Sequence, residues 1–240
     1  MKRASIFTLL LATLFSSSCA SQNSSETAQM IQSRFANLKS TKERSVSDRF
    51  SPISEITPEI ESRMRAGNSY RDGCPVPLED LRYLRIKYFG FDKKTHTGEM
   101  IVHRDVADEV VTIFDKLYRI KYPIRKMRLV SSYGGDDDRS MSADNTSAFN
   151  CRRVTGGHKW SKHSFGRAID INPKENPYVK RGKILPPSSK NFAKNRKILN
   201  RRDKSVIIKN SQIVDIFSQH GWIWGGSWKS LKDYQHFEKK

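Results

Sequence analysis

Two stretches of this 240-residue chain carry side chains able to hold a metal ion and act on a polar bond. One runs Ser161-Lys162-His163-Ser164-Phe165-Gly166-Arg167-Ala168-Ile169-Asp170, the other Asp233-Tyr234-Gln235-His236-Phe237-Glu238. His163, Asp170 and His236 supply two imidazoles and a carboxylate. Three protein ligands with one position left open is the ligand count of a catalytic site holding one zinc ion. Asp233, three residues before His236, adds a carboxylate free to serve as a general base.

These groups need elements that aim them at one point. Gly166 marks a turn, after which the short apolar run to Ile171 reads as a strand. Side chains alternate along a strand, so Ala168 and Asp170 share a face and the small alanine leaves room for an ion. In the second stretch the same alternation puts Tyr234 and His236 on one face, with Asp233 where the strand begins. Strands Gly166–Ile171 and Tyr234–Glu238 are expected to be neighbours, because both must aim ligands at one ion. Each stretch alone has a plainer account. The first could be a capped or salt-bridged Asp170 with an unrelated His163, the second a buried His236 among aromatics with two solvated acids. The metal reading rests on the two together. His96, His103, His158 and His220 have no partner at ligand spacing.

The order Ser-x-His, six residues, Asp, then Asp-x-x-His resembles the zinc D-alanyl-D-alanine carboxypeptidases of the VanY type. It also resembles the related L-alanyl-D-glutamate endolysin peptidases and the hedgehog domain that shares their fold. Segments 145–152 and 221–226 extend the likeness over roughly Cys74 to Glu238. The resemblance implies an α+β domain, an antiparallel sheet with flanking helices, of hedgehog/D-Ala-D-Ala peptidase type. It implies one Zn2+ on His163, Asp170 and His236, with Asp233 as the base. It also implies an arginine for a substrate carboxylate or the oxyanion. In the family that arginine often follows a Ser-Gly-Tyr triplet. The matching place here is Ser131-Ser132-Tyr133-Gly134, without arginine, so the role falls to Arg152 or to Arg139. Ser161, Asn150 and Trp224 are the expected substrate contacts. The implied substrate is a peptidoglycan stem peptide, cut at a D-Ala-D-Ala or L-Ala-D-Glu type bond by a monomer.

The chain begins with a basic Met1-Lys2-Arg3, an apolar run from Ile6 to Phe15, and small residues to Ala20. That is the pattern of a secretory signal over residues 1–20, too short to span a bilayer. Lipid attachment at Cys19 is the alternative ending, and the only membrane link expected. Residues 21–49 are polar and read as a linker, with helical tendency around Thr27–Asn37. The catalytic domain is expected over 50–240. Net charge is +19, and losing the leader removes Lys2, Arg3 and no acid, leaving +17. Export and the scatter of the cations argue against nucleic acid and for anionic envelope polymers, in the periplasm or on the cell envelope. Cys74 and Cys151, left after Cys19, can pair in that compartment.

Along the chain, residues 53–65 have helical spacing, with a helix starting near Thr57-Pro58 and Pro58 at its first position. Leu81–Phe91 and Glu99–His103 read as strands joined by a Thr97-Gly98 turn. Asp105 opens a helix to about Tyr118 with Val106, Val110, Ile113, Phe114 and Leu117 inward. Met127–Tyr133 reads as a strand and Gly134–Arg139 as a solvated loop at the site's rim, since its three acids lack calcium-loop spacing. Residues 173–205 form a long basic excursion, and Ile207–Gln219 a helix. Two rivals to the peptidase remain at this stage: a non-catalytic zinc-stabilised binding module, and an exported basic binder of nucleic acid or lipopolysaccharide.

Overall fold

Thr57 accepts a hydrogen bond from the Ile60 amide at 3.3 Å, and Pro58 occupies the first turn, where its missing N–H costs nothing. The helix α1 (Pro58–Ala66) that starts there follows β1 (Ile53–Ser54). Next come β2 (Leu81–Gly90), β3 (Thr95–His103), α2 (Ala107–Arg119), β4 (Pro123–Ile124) and α3 (Asp137–Ser142). Then follow β5 (Ala168–Asp170), β6 (Tyr178–Lys180), β7 (Lys183–Leu185), α4 (Lys190–Lys194), α5 (Arg196–Asn200) and α6 (Gln212–Gln219). β8 (Ile223–Trp224), β9 (Lys232–Asp233) and β10 (His236–Glu238) complete the chain. This computed structural model describes residues 30–33, 52–154 and 157–240.

The chain divides into two units, Met1–Ser51 and Pro52–Lys240. In the first, residues 30–33 are helical. The expected leader and the rest of the expected linker lie outside the described residues. Among those described, no helix is long and apolar enough to cross a membrane.

The second unit is α+β, with three small sheets rather than a single antiparallel one. β2 lies between β1 and β3, both antiparallel, and its end also takes β4 in parallel. A second sheet runs β5-β10-β8 and a third β7-β6-β9. The face of α2 carrying Val110, Ile113, Phe114 and Leu117 is buried against β2. Burying each such side chain is worth roughly 1.5–3 kcal/mol. The same core takes in Ile169 and Phe237 from the second sheet, so one apolar cluster supports both. A second cluster holds Met64, Leu81 and Phe149 beside the Cys74–Cys151 disulfide. That bridge closes a span of 77 residues, worth roughly 4 kcal/mol on the chain-entropy account.

Four local expectations are corrected. Thr97 and Gly98 lie inside β3, opposite Lys87 and Ile86, because the chain reverses earlier, around Lys93. Met127–Tyr133 is no strand: Met127 makes one bridge to Thr146, and Val130–Tyr133 form a 3-10 turn. Leu129 and Val130 are buried all the same, and a short apolar run reads alike in either conformation. The acidic loop is partly helical, with Asp136 capping α3 through the Arg139 amide. The last helix starts at Gln212, not Ile207, whose amide is bound by Asn176 Oδ1 at 2.7 Å.

The basic excursion is pinned from within. Arg196 is buried and donates to the carbonyls of Glu175 and Ile207 and to Asn176 Oδ1, with its guanidinium 3.9 Å from the Tyr234 ring centre. Burial lowers its pKa to about 10. Nearby, burial and then the Asp144 carboxylate push Glu175 up to about 8. A carboxyl group raised on folding binds more protons in the native state, so stability is lost as pH rises from its ordinary range through about 8. Denaturant titrations of the wild type are expected to show that fall, and Glu175→Gln to flatten it. An unchanged pH profile in the variant would count against this account.

Candidate metal centre

His163 lies in a 3-10 turn, Lys162–Phe165, whose start is capped by the Ser161 hydroxyl accepting from the His163 amide at 3.3 Å. The turn ends at Gly166 with φ 64°, where a side chain would strike the His103 backbone at 2.4 Å. The His163 ring is set by segment 145–152: its Nδ1 lies 2.5 Å from the Ala148 carbonyl oxygen. A carbonyl can only accept, so Nδ1 carries the proton and Nε2 is left free for a metal.

Asp170 and His236 face each other across the β5–β10 pair, in register with Ile169 opposite Phe237 and Ala168 opposite Glu238. Alternation sends Ile169 and Phe237 into the core, where Phe237 stacks on Phe217 with ring centres 4.0 Å apart. The opposite face therefore carries Asp170, His236, Glu238 and the small Ala168. Asp170 is also bridged to Ser147 in both directions, at 2.8 and 3.0 Å.

The three ligand atoms meet. His163 Nε2 is 3.1 Å from Asp170 Oδ2, His236 Nδ1 is 3.0 Å from Asp170 Oδ1, and the two ring nitrogens are 3.2 Å apart. Ligands about 2.0–2.1 Å from a tetrahedral zinc ion would lie about 3.3 Å from one another, close to this spacing. All three side chains are buried, and among the described residues theirs is the group of this kind. Burial opposes ionisation of Asp170, but His163 and His236 outweigh it and hold its carboxyl well below the usual range. Burial likewise opposes charge on His236, yet hydrogen bonds to Asp170 and Glu238 push it up to about 10. Two nitrogens and a carboxylate suit zinc better than calcium or magnesium, which favour all-oxygen shells.

These groups form one side of a cavity of about 330 Å³. Asp233 also lines it, half-buried, with its Oδ1 shielded and lacking a hydrogen-bond partner, and desolvation pushes its pKa up to about 7. Gly225 packs behind Asp233 and His236: an added side chain would lie 2.7 Å from the Asp233 carbonyl oxygen and 3.3 Å from His236 Cβ.

The structure sorts the remaining expected residues. Arg152 lines the cavity and pairs with Asp137 at 2.7 Å. Arg139 is exposed, pairs with Asp136, and is absent from the lining. Ser161 lines the cavity, although its hydroxyl serves the turn. Asn150 and Trp224 do not reach it. Asn150 is buried and donates to the Gly135 carbonyl, and Trp224 is buried with its indole N–H on the Tyr234 carbonyl at 2.8 Å. Trp228 stands at the cavity instead, its ring centre 5.3 Å from that of His236. Tyr234 does not share the face of His236: the strand breaks at Tyr234–Gln235, and Tyr234 packs on Trp224 and Arg196. Sequence reasoning missed Glu238, whose Oε2 lies 3.2 Å from His236 Nε2. The signal was there in the two-residue spacing, which keeps both side chains on one face of a strand.

Glu238 therefore fixes the His236 ring so that Nδ1 faces the other ligands. Outer partners of this kind are typically worth about 10–100-fold in metal affinity. Glu238→Gln is expected to weaken zinc binding within that range in competition with a chromogenic chelator. Unchanged affinity would mean the carboxylate is only a solvated neighbour. Gly225→Ala is expected to lower stability by about 1–3 kcal/mol through overpacking, read by denaturant melts, and to loosen zinc binding as His236 moves.

No curated protein and no solved structure matches the chain. Residues 155–239, which carry the three candidate ligands and Asp233, match the model of the D-alanyl-D-alanine carboxypeptidase family, the family that the motifs resemble.

Proposed function

We propose that the chain is an exported zinc peptidase that hydrolyses peptidoglycan stem peptides, with the fold arrangement of the D-Ala-D-Ala peptidases. One observation carries the reading. Three donors of catalytic-zinc type converge in a cavity whose wall also holds Asp233, a half-buried carboxylate whose shielded Oδ1 has no hydrogen-bond partner. The family match over residues 155–239 supports it. A structural zinc site would use four protein ligands and have no need of that fourth group.

His163 Nε2, Asp170 and His236 Nδ1 would hold the ion. When bound, it supplies a Lewis acid for the scissile carbonyl and makes water acidic enough to attack near neutral pH. Asp233 accepts the proton of the attacking water and returns it to the leaving amine. Its raised pKa marks a site where charge is poorly solvated, so its base strength depends on its cationic neighbours. Arg152, steadied by Asp137, offers a guanidinium at the cavity wall to a substrate carboxylate or to the developing oxyanion.

Mass spectrometry of purified muropeptides after incubation, with and without a chelator, tests activity and identifies the bond. Products that appear only without chelator are expected. A protein that binds zinc but leaves every muropeptide intact would be a binding module instead. Asp233→Ala is expected to retain zinc and lose at least about a hundredfold in turnover, in line with loss of a general base. His163→Ala is expected to lose both. Full turnover in Asp233→Ala would remove that residue from the role of base.

A further inference from the structure

The β6–β7 hairpin has no assigned role, yet it forms one wall of the cavity. β6 pairs with β9, placing Tyr178 opposite Asp233. Within the hairpin Tyr178 opposes Leu185 and Lys180 opposes Lys183, so these four side chains share a face. Tyr178, Lys180 and Leu185 line the cavity, which identifies that face as the inner one.

The hairpin breaks local rules in a consistent direction. Its two-residue turn has positive φ at both Arg181 and Gly182, 47° and 83°. Such turns favour asparagine or aspartate before the glycine, and arginine is a poor occupant. Lys180 and Lys183 sit directly opposite, a like-charge pair that destabilises the ladder. Residues 178–185 contain three cations and no acid. Violations of this kind are expected where a segment serves a ligand.

Charge balance in the cavity singles out one residue. Arg152 is neutralised by Asp137. Lys162 lies in the field of Glu238. Asp170 and Asp233 offset a divalent ion at the three ligands. Lys180 is left without an acid: its side chain makes no hydrogen bond or ion pair among the described residues, while its cavity neighbours Tyr178 and Leu185 are uncharged.

We infer that the inner face of the β6–β7 hairpin is a carboxylate-reading subsite, in which Lys180 selects peptides bearing a free carboxylate over their amidated forms. This rests on the peptidase reading for the divalent ion in the charge balance. The carboxylate can come from the peptide's C-terminus or from an acidic residue within it. Lys180 is exposed, and the half-buried Tyr178 and Leu185 supply apolar contact alongside it.

Two probe pairs separate the sources. One is a stem-type peptide with D-isoglutamate against D-isoglutamine, the other a peptide with a free terminal D-Ala against its C-terminal amide. With the zinc-loaded full chain, KM for the carboxylate form of one pair is expected to be about fivefold lower than for its amide, the upper end for a single exposed ion pair. Lys180→Met should abolish that preference and Lys180→Glu invert it, with kcat within about twofold and salt weakening the wild-type preference. The pair that responds names the source. A wild-type preference that persists in both variants, or no preference in either pair, overturns the subsite. Should no peptide be cleaved, binding of the same pairs is read by tryptophan fluorescence. A Lys180-dependent preference there keeps the subsite and sinks only the peptidase reading, and its absence sinks both.

Discussion

Asp170 and His236 are opposed residues of a short antiparallel pair, and the geometry of the centre follows from that register. A slip of either strand by one residue would turn its polar side chain toward the core and bring out its apolar neighbour, Ile169 on β5 or Phe237 on β10. Only two short strands carry the pairing, so ladder bonds alone hold it weakly. The apolar face does more. Ile169 and Phe237 are fully buried in the cluster that also holds α2 and β2. Moving them to the surface would forfeit several kcal/mol, which is what keeps the polar face aimed at the cavity.

His163 reaches the same point by a different route. It lies on a turn rather than a strand, and its aim depends on segment 145–152, an extended stretch without a ladder of its own. That segment accepts the His163 ring proton at Ala148, binds Asp170 through Ser147, and is tied to the N-terminal part of the domain by the disulfide at Cys151. Segment 145–152 is buried through its own polar side chains. Asn145, Thr146, Ser147 and Asn150 are all buried, and Asn145 bonds to the Arg128 backbone in both directions.

The cavity has a fixed side and an added side. The candidate metal ligands rest on the core shared with α2, whereas the β6–β7 wall belongs to the basic excursion. Arg196, buried against Tyr234, joins the excursion to the residues just before His236. A cation satisfied only by carbonyl groups and a ring face is a costly interior group. Its position ties the wall that would meet substrate to the strand that would hold the ion.

Residue chemistry and local period were enough for much of this protein. The convergence of His163, Asp170 and His236 as a candidate ligand set was legible because two imidazoles and a carboxylate in short motifs have few other uses together. The buried stripe of α2 and the β2–β3 hairpin were legible because period-3.6 and period-2 apolar patterns survive any packing. Tertiary structure alone decided which arginine meets the cavity, since Arg152 and Arg139 differ only in where the chain turns after Tyr133. It likewise put Trp228 rather than Trp224 at the cavity, a choice fixed by Trp224 standing opposite Phe237 on the core face of β8. The hairpin wall was invisible for the same reason: its partner, β9, is some fifty residues away, and no local pattern encodes a pairing at that distance.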